Sequence, residues 1–252
     1  MGTDQQNGRF RVREILDGVA TLAIIALCGT VTWAIVARGA VAATKPNPTP
    51  RAAANRPPAP PLPSEPISLQ GAIQDGAASA KVAVIQYSEF KCPYCGVFAR
   101  DTLPTLKKKY LDTGKVVIAF RHFPLDTLHP FARQAAQAAE CANQQGQFWA
   151  FHDRMFAQQK ELDAVKIAAY AKEISLDSRR FSSCMEAEAA RVVDADVESG
   201  KALGVTGTPT FFIGIIQADG RVKLRERLTG AQPITQFELT IDKVIAEVQG
   251  KQ

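Results

Sequence analysis

Val82-Ala83-Val84-Ile85-Gln86-Tyr87-Ser88-Glu89-Phe90-Lys91-Cys92-Pro93-Tyr94-Cys95 decides the reading of this chain. Its first half is an apolar, strand-like run. It ends on two cysteines with two residues between them, and a helix-like run to about residue 110 follows. A strand that leads into a helix opening on Cys-x-x-Cys reads as a redox-active dithiol. A zinc knuckle would need a second close Cys/His pair. Cys141 and Cys184 lie far apart, and His122 and His129 have no ligand spacing with them. No metal and no cofactor is expected.

Pro is favoured at the first helical position, where its missing N–H would have no partner anyway. With Pro93 there, Cys92 is the N-cap, Tyr94 the second helical residue and Cys95 the third. An N-cap side chain faces the free N–H groups of the second and third residues and the positive end of the helix dipole. Both favour a Cys92 thiolate. Cys95 lies within disulfide reach and is better covered. Cys92 is therefore the expected nucleophile and Cys95 the resolving thiol.

The chain has 252 residues, 46% hydrophobic and 22% charged, with a formal net charge of +5. That suffices for one domain with a sizeable core and some added elements. The basic residues are scattered without interleaved aromatics, which gives no nucleic-acid surface. Lys107, Lys108 and Lys109 form a tight run that reads as a solvated helix face. There are five cysteines. Cys28 falls in the N-terminal apolar segment. Cys141 and Cys184 either pair as a second disulfide, which fits an oxidising compartment, or stand as separate buried thiols.

Residues 18–37, GVATLAIIALCGTVTWAIVA, carry no charge and are long enough for one pass through a bilayer. Arg9, Arg11 and Arg13 precede the span and favour a cytoplasmic N-terminus (1–17) with the rest exported. An uncleaved signal anchor is the expectation. Cleavage near the A-x-A-like Ala40-Val41-Ala42 is the alternative, leaving a protein free in the periplasm. A lipoprotein signal ending at Cys28 is the weakest reading. Residues 38–66 are rich in Pro and Ala and read as an extended, polyproline-like linker.

Past the linker, a short edge strand is expected within 67–78, with Asp75-Gly76 as its turn. Buried strands are expected over 81–87 and 115–123, joined by the redox helix into a parallel βαβ unit. Pro104 should distort that helix, because it removes one donor and crowds the preceding turn. Residues 130–203 then read as an all-helical insert, with Phe148, Phe151, Met155 and Phe156 on one core-facing stripe. A hairpin turning at Asp219-Gly220 joins a strand at 210–213 to one at 221–228. A last helix runs from 233 to about 248. Pro209, just before a buried strand, is either cis or an ordinary trans residue at a strand start.

SEFKCPYC at 88–95, the helical insert, and GVTGTPTFFIG at 204–214 occur in that order and together resemble the thioredoxin-fold proteins of the bacterial DsbA type. The resemblance covers about residues 67–248. It implies an α/β domain (67–252) with a central mixed sheet, flanking helices and an inserted all-helical subdomain, which the transmembrane helix read from residues 18–37 would tether. It implies that Cys92 and Cys95 are the redox pair, supported by Pro93 and Tyr94. It also implies that Pro209 is cis beside the disulfide and that the Thr208 backbone pairs with a substrate peptide. Some thioredoxin-fold enzymes carry a buried acid well before the first cysteine. Here the nearest acid is Glu89, three residues before Cys92, either a tuning group or a solvated strand-end carboxylate. His122 and His129 read as packing or surface residues.

The function expected is a thiol:disulfide oxidase, anchored in a bacterial inner membrane with its domain in the periplasm. Its substrates would be the reduced cysteines of exported proteins. The resemblance implies reoxidation by a membrane partner of DsbB-like type. An isomerase or reductase on the same fold is the nearest competitor. A tethered binding or chaperone module with a structural cysteine pair is the competitor from another class.

Overall fold

The computed structural model describes residues 60–250. The cytoplasmic segment 1–17, the span 18–37, Cys28 and residues 38–59 of the linker lie outside the described residues. No helix among the described residues is long and apolar enough to cross a membrane.

Five strands form one sheet in the order β1-β3-β2-β4-β5. β2 (Val82–Ser88) and β3 (Val116–His122) are buried along their whole length, which explains their nearly unbroken apolar sequence. They pair in parallel, from Val82 opposite Val116 to Ser88 opposite His122. β1 (Ile73–Asp75) is a short antiparallel edge on β3. The turn after it needs Gly76: its φ is +119°, and a Cβ there would approach the Val116 carbonyl to 2.7 Å. β4 (Thr210–Ile216) pairs antiparallel with β2, and β5 (Val222–Thr229) closes the sheet as a hairpin partner of β4. The expected parallel βαβ unit and C-terminal hairpin are both present.

The redox helix, α1, is an unbroken succession of four segments. α-Helical Pro93–Val97 leads into a π-turn at Phe98–Thr102, α-helical Leu103–Leu106 and a second π-turn at Lys107–Leu111. The distortion expected at Pro104 takes the form of the widened turn just before it, where the Leu103 N–H bonds back to the Phe98 carbonyl. A π-turn absorbs the missing proline donor without ending the helix.

Between β3 and β4 lie five helices: α2 (Ala132–Asn143), α3 (Phe148–Ala157), α4 (Ala164–Glu173), α5 (Ser178–Ala187) and α6 (Ala189–Ala202). The sequence reads as one helix over what are α5 and α6; the chain breaks it at Glu188. The Phe148, Phe151, Met155 and Phe156 stripe is buried, as expected, and packs with Phe90, Phe120, Cys92 and Cys95. The insert therefore shares a core with the redox site. α7 (Ile234–Gln249) covers the opposite face with Phe237, Ile241 and Val244 against Phe98 and Phe211.

Arg121, at the end of β3, holds distant pieces together. It donates to the Asp196 carboxylate of α6 at 2.6 Å and to the Gln70 carbonyl at 2.7 Å. The other Asp196 oxygen accepts from the His122 N–H at 2.9 Å. Cys141 of α2 and Cys184 of α5 are joined by a disulfide, with Cα atoms 5.6 Å apart. That settles the alternatives in favour of pairing.

Candidate redox site

Cys92 sits at the N-cap of α1 with extended backbone (φ −69°, ψ 118°), and Pro93 occupies the first turn. Both thiols are free and buried, at 3% exposure for Cys92 and 0% for Cys95. Tyr94 between them is 56% exposed, so the pair lies just under the surface. The Thr208–Pro209 peptide is cis. Thr208 reaches the redox pair: the Cys92 thiol donates to its carbonyl at 3.3 Å. The loop carrying Thr208 is held by Thr210 Oγ1, which donates to the Gly207 carbonyl at 2.7 Å, and by the Gly230 N–H on the Pro209 carbonyl at 2.8 Å.

The two sulfurs are electrostatically unequal. The Cys95 thiol, facing the Cys92 sulfur, is the main reason the Cys92 thiol is held down to about 5. The Thr208 hydroxyl and the Cys95 and Tyr94 amides add to this against the opposing effect of burial. Neither amide closes a full capping bond to the sulfur, so their effect is that of oriented dipoles. Cys95 is pushed well above the usual thiol range, first by burial and then by the neighbouring Cys92; the Ser88 hydroxyl and Glu89 N–H only partly oppose this.

Glu89 is fully buried, which removes the reading of a solvated strand-end carboxylate. Its carboxylate accepts from the Lys91 N–H at 2.7 Å and is bonded to His129 Nδ1. Burial raises it to about 7, while Lys91 and His129 pull it down and the nearby Cys92 pushes it up. His129, read from sequence as a packing or surface residue, thus belongs to the site. It comes from the loop after β3, and only the fold brings it back to Glu89.

His122 matches its expected packing role. It is fully buried among Phe90, Phe120 and Phe148, and burial lowers it to about 3. Its Nε2 lies 3.9 Å from Glu140, whose carboxyl burial raises to about 7. Between pH about 4 and 6 this contact therefore joins two mostly neutral groups rather than an ion pair.

A further pair of residues escaped the sequence reading. Gln159 donates to the carbonyls of Phe90 and Cys92, and Lys91 Nζ donates to the Leu162 carbonyl. Among the described residues, no cluster of three or more His, Cys, Asp or Glu could hold a metal ion. The constellation that remains is an acidic thiol beside a basic one, set at a helix start against a proline loop. Such an arrangement can carry thiol–disulfide exchange.

Comparison with known proteins agrees with this geometry. A family model described as thioredoxin matches residues 69–227. The crystal structure of alpha-DsbA1 from Wolbachia pipientis superposes with a TM-score of 0.64 at 25% identity, covering 73% of this chain and 96% of that one. Oxidised BdbD from Bacillus subtilis gives 0.62 at 23% identity, covering 74% and 100%, and supports the fold. A segment of the Na(+)/H(+) antiporter NhaA 3 of Salinispora tropica is 38% identical over 139 residues, which is 55% of this chain and 21% of that protein. The chain thus spans about a fifth of the length of the curated relatives it matches. With the model covering more than half of its length and the fold shared with DsbA-type thiol–disulfide oxidoreductases, the chain belongs to the thioredoxin family.

Proposed function

We propose that the protein is a thiol:disulfide oxidoreductase that acts as an oxidase on cysteine pairs of exported proteins. The observation that carries this reading is the placement of Cys92 at the helix start, in contact with Thr208 of the cis Thr208–Pro209 loop, with Cys95 fully buried beside it. The Cys92 thiol, held down to about 5, ionises readily, and that thiolate stabilises the reduced enzyme and so makes its disulfide oxidising, while Cys95 stays a buried thiol.

In the proposed cycle the enzyme starts with Cys92 and Cys95 joined. A substrate thiolate attacks the Cys92 sulfur; the Cys92–Cys95 bond breaks, and Cys95 leaves with the electron pair and takes up a proton. A second substrate thiolate attacks the substrate sulfur of the mixed disulfide. Cys92 leaves as a thiolate, and the substrate holds the new disulfide. Two electrons now rest on the enzyme pair, and a membrane partner of DsbB-like type removes them. No cofactor enters these steps. Tyr94 and the Thr208–Pro209 segment flank Cys92, and the bound substrate chain is assigned to them, with Thr208 as its backbone contact.

A setting at the outer face of a bacterial inner membrane follows from residues 18–37, read as an anchor. The relative in which a similar segment is part of an antiporter supports a working place beside a membrane.

The test is trapping. Cys95→Ser should accumulate mixed disulfides with exported proteins, and Cys92→Ser should neither trap nor oxidise a reduced substrate. A Cys92→Ser variant that still oxidises overturns the reading. The reduction potential of the purified domain separates the roles: a value well above that of thioredoxin, about −270 mV, fits an oxidase, and one at or below it a reductase.

A further inference from the structure

The 3-10 turn Gln159–Glu161 belongs to the helical insert, yet its first residue reaches back 67 positions to the redox loop. Gln159 Nε2 donates to the Cys92 carbonyl at 2.7 Å and to the Phe90 carbonyl at 2.9 Å. The Cys92 carbonyl also accepts the Gly96 N–H at 3.2 Å, the bond that opens α1. The other end of the same amide lies against Gly96: a Cβ built there would stand 2.2 Å from Gln159 Oε1 and 2.7 Å from Arg100 NH1. Gly96 therefore makes the room that Gln159 fills. Two flanking bonds fasten the same tip of the insert to the redox region, Lys91 Nζ to the Leu162 carbonyl and Arg100 NH1 to the Phe156 carbonyl, both at 3.1 Å.

We propose that Gln159 is a positioning residue of the redox centre: by gripping the carbonyls of Phe90 and Cys92, it fixes the direction in which the Cys92 sulfur faces the Tyr94 and Cys95 amides and Thr208, and Gly96 is small so that it can do so. The inference rests on Cys92 being the reactive thiol. Its physics is local. The Cys92 carbonyl points a negative dipole end into the turn that must also hold a negative sulfur. A donor on that oxygen offsets the dipole, in a site too buried for water to do the same. The two bonds also hold the N-cap backbone in the extended conformation that presents the sulfur to the helix start.

The experiment titrates the Cys92 thiolate by its ultraviolet absorbance in the reduced protein. The groups facing Cys92 are Cys95 on α1, Glu89 before it and Thr208 from the loop before β4; His129 reaches Cys92 only through Glu89, and Lys91 and Arg100 are turned to the insert. A Glu89→Gln background therefore removes the carboxylate that acts directly on Cys92, and the thiolate absorbance then follows Cys92 without that coupling. Gln159→Met keeps the length of the side chain and removes both donors. It should raise the Cys92 midpoint by about half to one unit, a thiolate fraction roughly three- to ten-fold lower at pH values below the midpoint. Gln159→Glu, which sets acceptor oxygens against the two carbonyls, should raise it further. Gly96→Ala should displace the amide and reproduce the Gln159→Met shift, although Ala favours helix. The G96A/Q159M double variant should then shift no more than either single one.

An unchanged midpoint in Gln159→Met, with a lowered unfolding temperature, would make Gln159 a merely structural contact and overturn the inference. Additive shifts in the double variant would overturn the assignment to Gly96. If Cys92 of the unmodified protein does not ionise in the acid range, the redox reading itself fails, whatever the variants do.

Discussion

At the scale of single residues, the site is governed by groups that the fold removes from water. Glu89 and Cys92 are neighbours whose negative charges oppose one another, so each raises the other's tendency to hold a proton. Removing the carboxylate should therefore favour the thiolate. Glu89→Gln is expected to lower the Cys92 midpoint and to remove the inflection near pH 7 from substrate oxidation, leaving the rise with pH that ionisation of the substrate thiol itself gives; stopped-flow rates between about pH 6 and 8 check it. His129→Ala should act in the opposite sense on Glu89, raising it further by removing a partner of its charged form. Glu140 offers a stability test. Its folded value, about 7, lies above the ordinary 4.5. The protonated carboxyl is thus favoured by the fold, and its contribution is whole below about pH 4.5 and lost as pH rises through 7. Glu140→Gln should match the parent near pH 4.5 and exceed it near pH 8 by about 1–2 kcal/mol, a figure reduced for partial exposure. Urea unfolding at the two pH values measures the difference.

At the scale of elements, much of the fold was legible because burial repeats with the backbone. β2 and β3 are sunk on both faces, and their apolar runs say so. The Phe148–Phe156 stripe repeats with the helix and marks its core face. The redox pair was legible for a different reason: both cysteines and the proline that starts the helix lie within four consecutive residues. What did not show was anything that depends on a return of the chain. Glu89 meets His129 across 40 positions, and Cys92 meets Gln159 across 67; no local pattern encodes either meeting. The break at Glu188 was also hidden, since 178–202 is helix-compatible throughout; Cys184 and Ala189 on either side of it are buried together with Cys141. Helix starts in the insert are fixed more locally. The Asp177 carboxylate caps α5 by accepting the Arg180 N–H at 2.8 Å, and Asp163 caps α4 through the Lys166 N–H at the same distance. Asp177→Ala should cost about 1 kcal/mol, read from chemical denaturation, with the Cys92 titration unmoved.

At the scale of the whole molecule, the insert is stapled to itself and bolted to the sheet. The Cys141–Cys184 disulfide closes a separation of 43 residues. Chain-entropy arithmetic for a loop of that size gives about 4 kcal/mol of stabilisation. C141A/C184A should lose on the order of 2–4 kcal/mol in unfolding experiments yet keep the Cys92–Cys95 exchange reaction, because the bridge lies in a separate small cluster of Cys141, Cys184 and Ala189. Arg121 supplies the bolt, and Arg121→Leu should leave Asp196 buried without its cation, costing about 3–5 kcal/mol, again by denaturant unfolding. The sheet order has one more consequence, and it concerns time. Thr208, which faces the Cys92 sulfur, lies 116 residues after it, and β4, the second neighbour of β2, begins only at Thr210. A ribosome therefore delivers both redox cysteines, and Cys141 and Cys184 as well, before it delivers the segment that completes the pocket. The nascent chain thus holds Cys92, Cys95 and the start of α1, the main sources of the Cys92 acidity, before Thr208 arrives to add the last contact of the site.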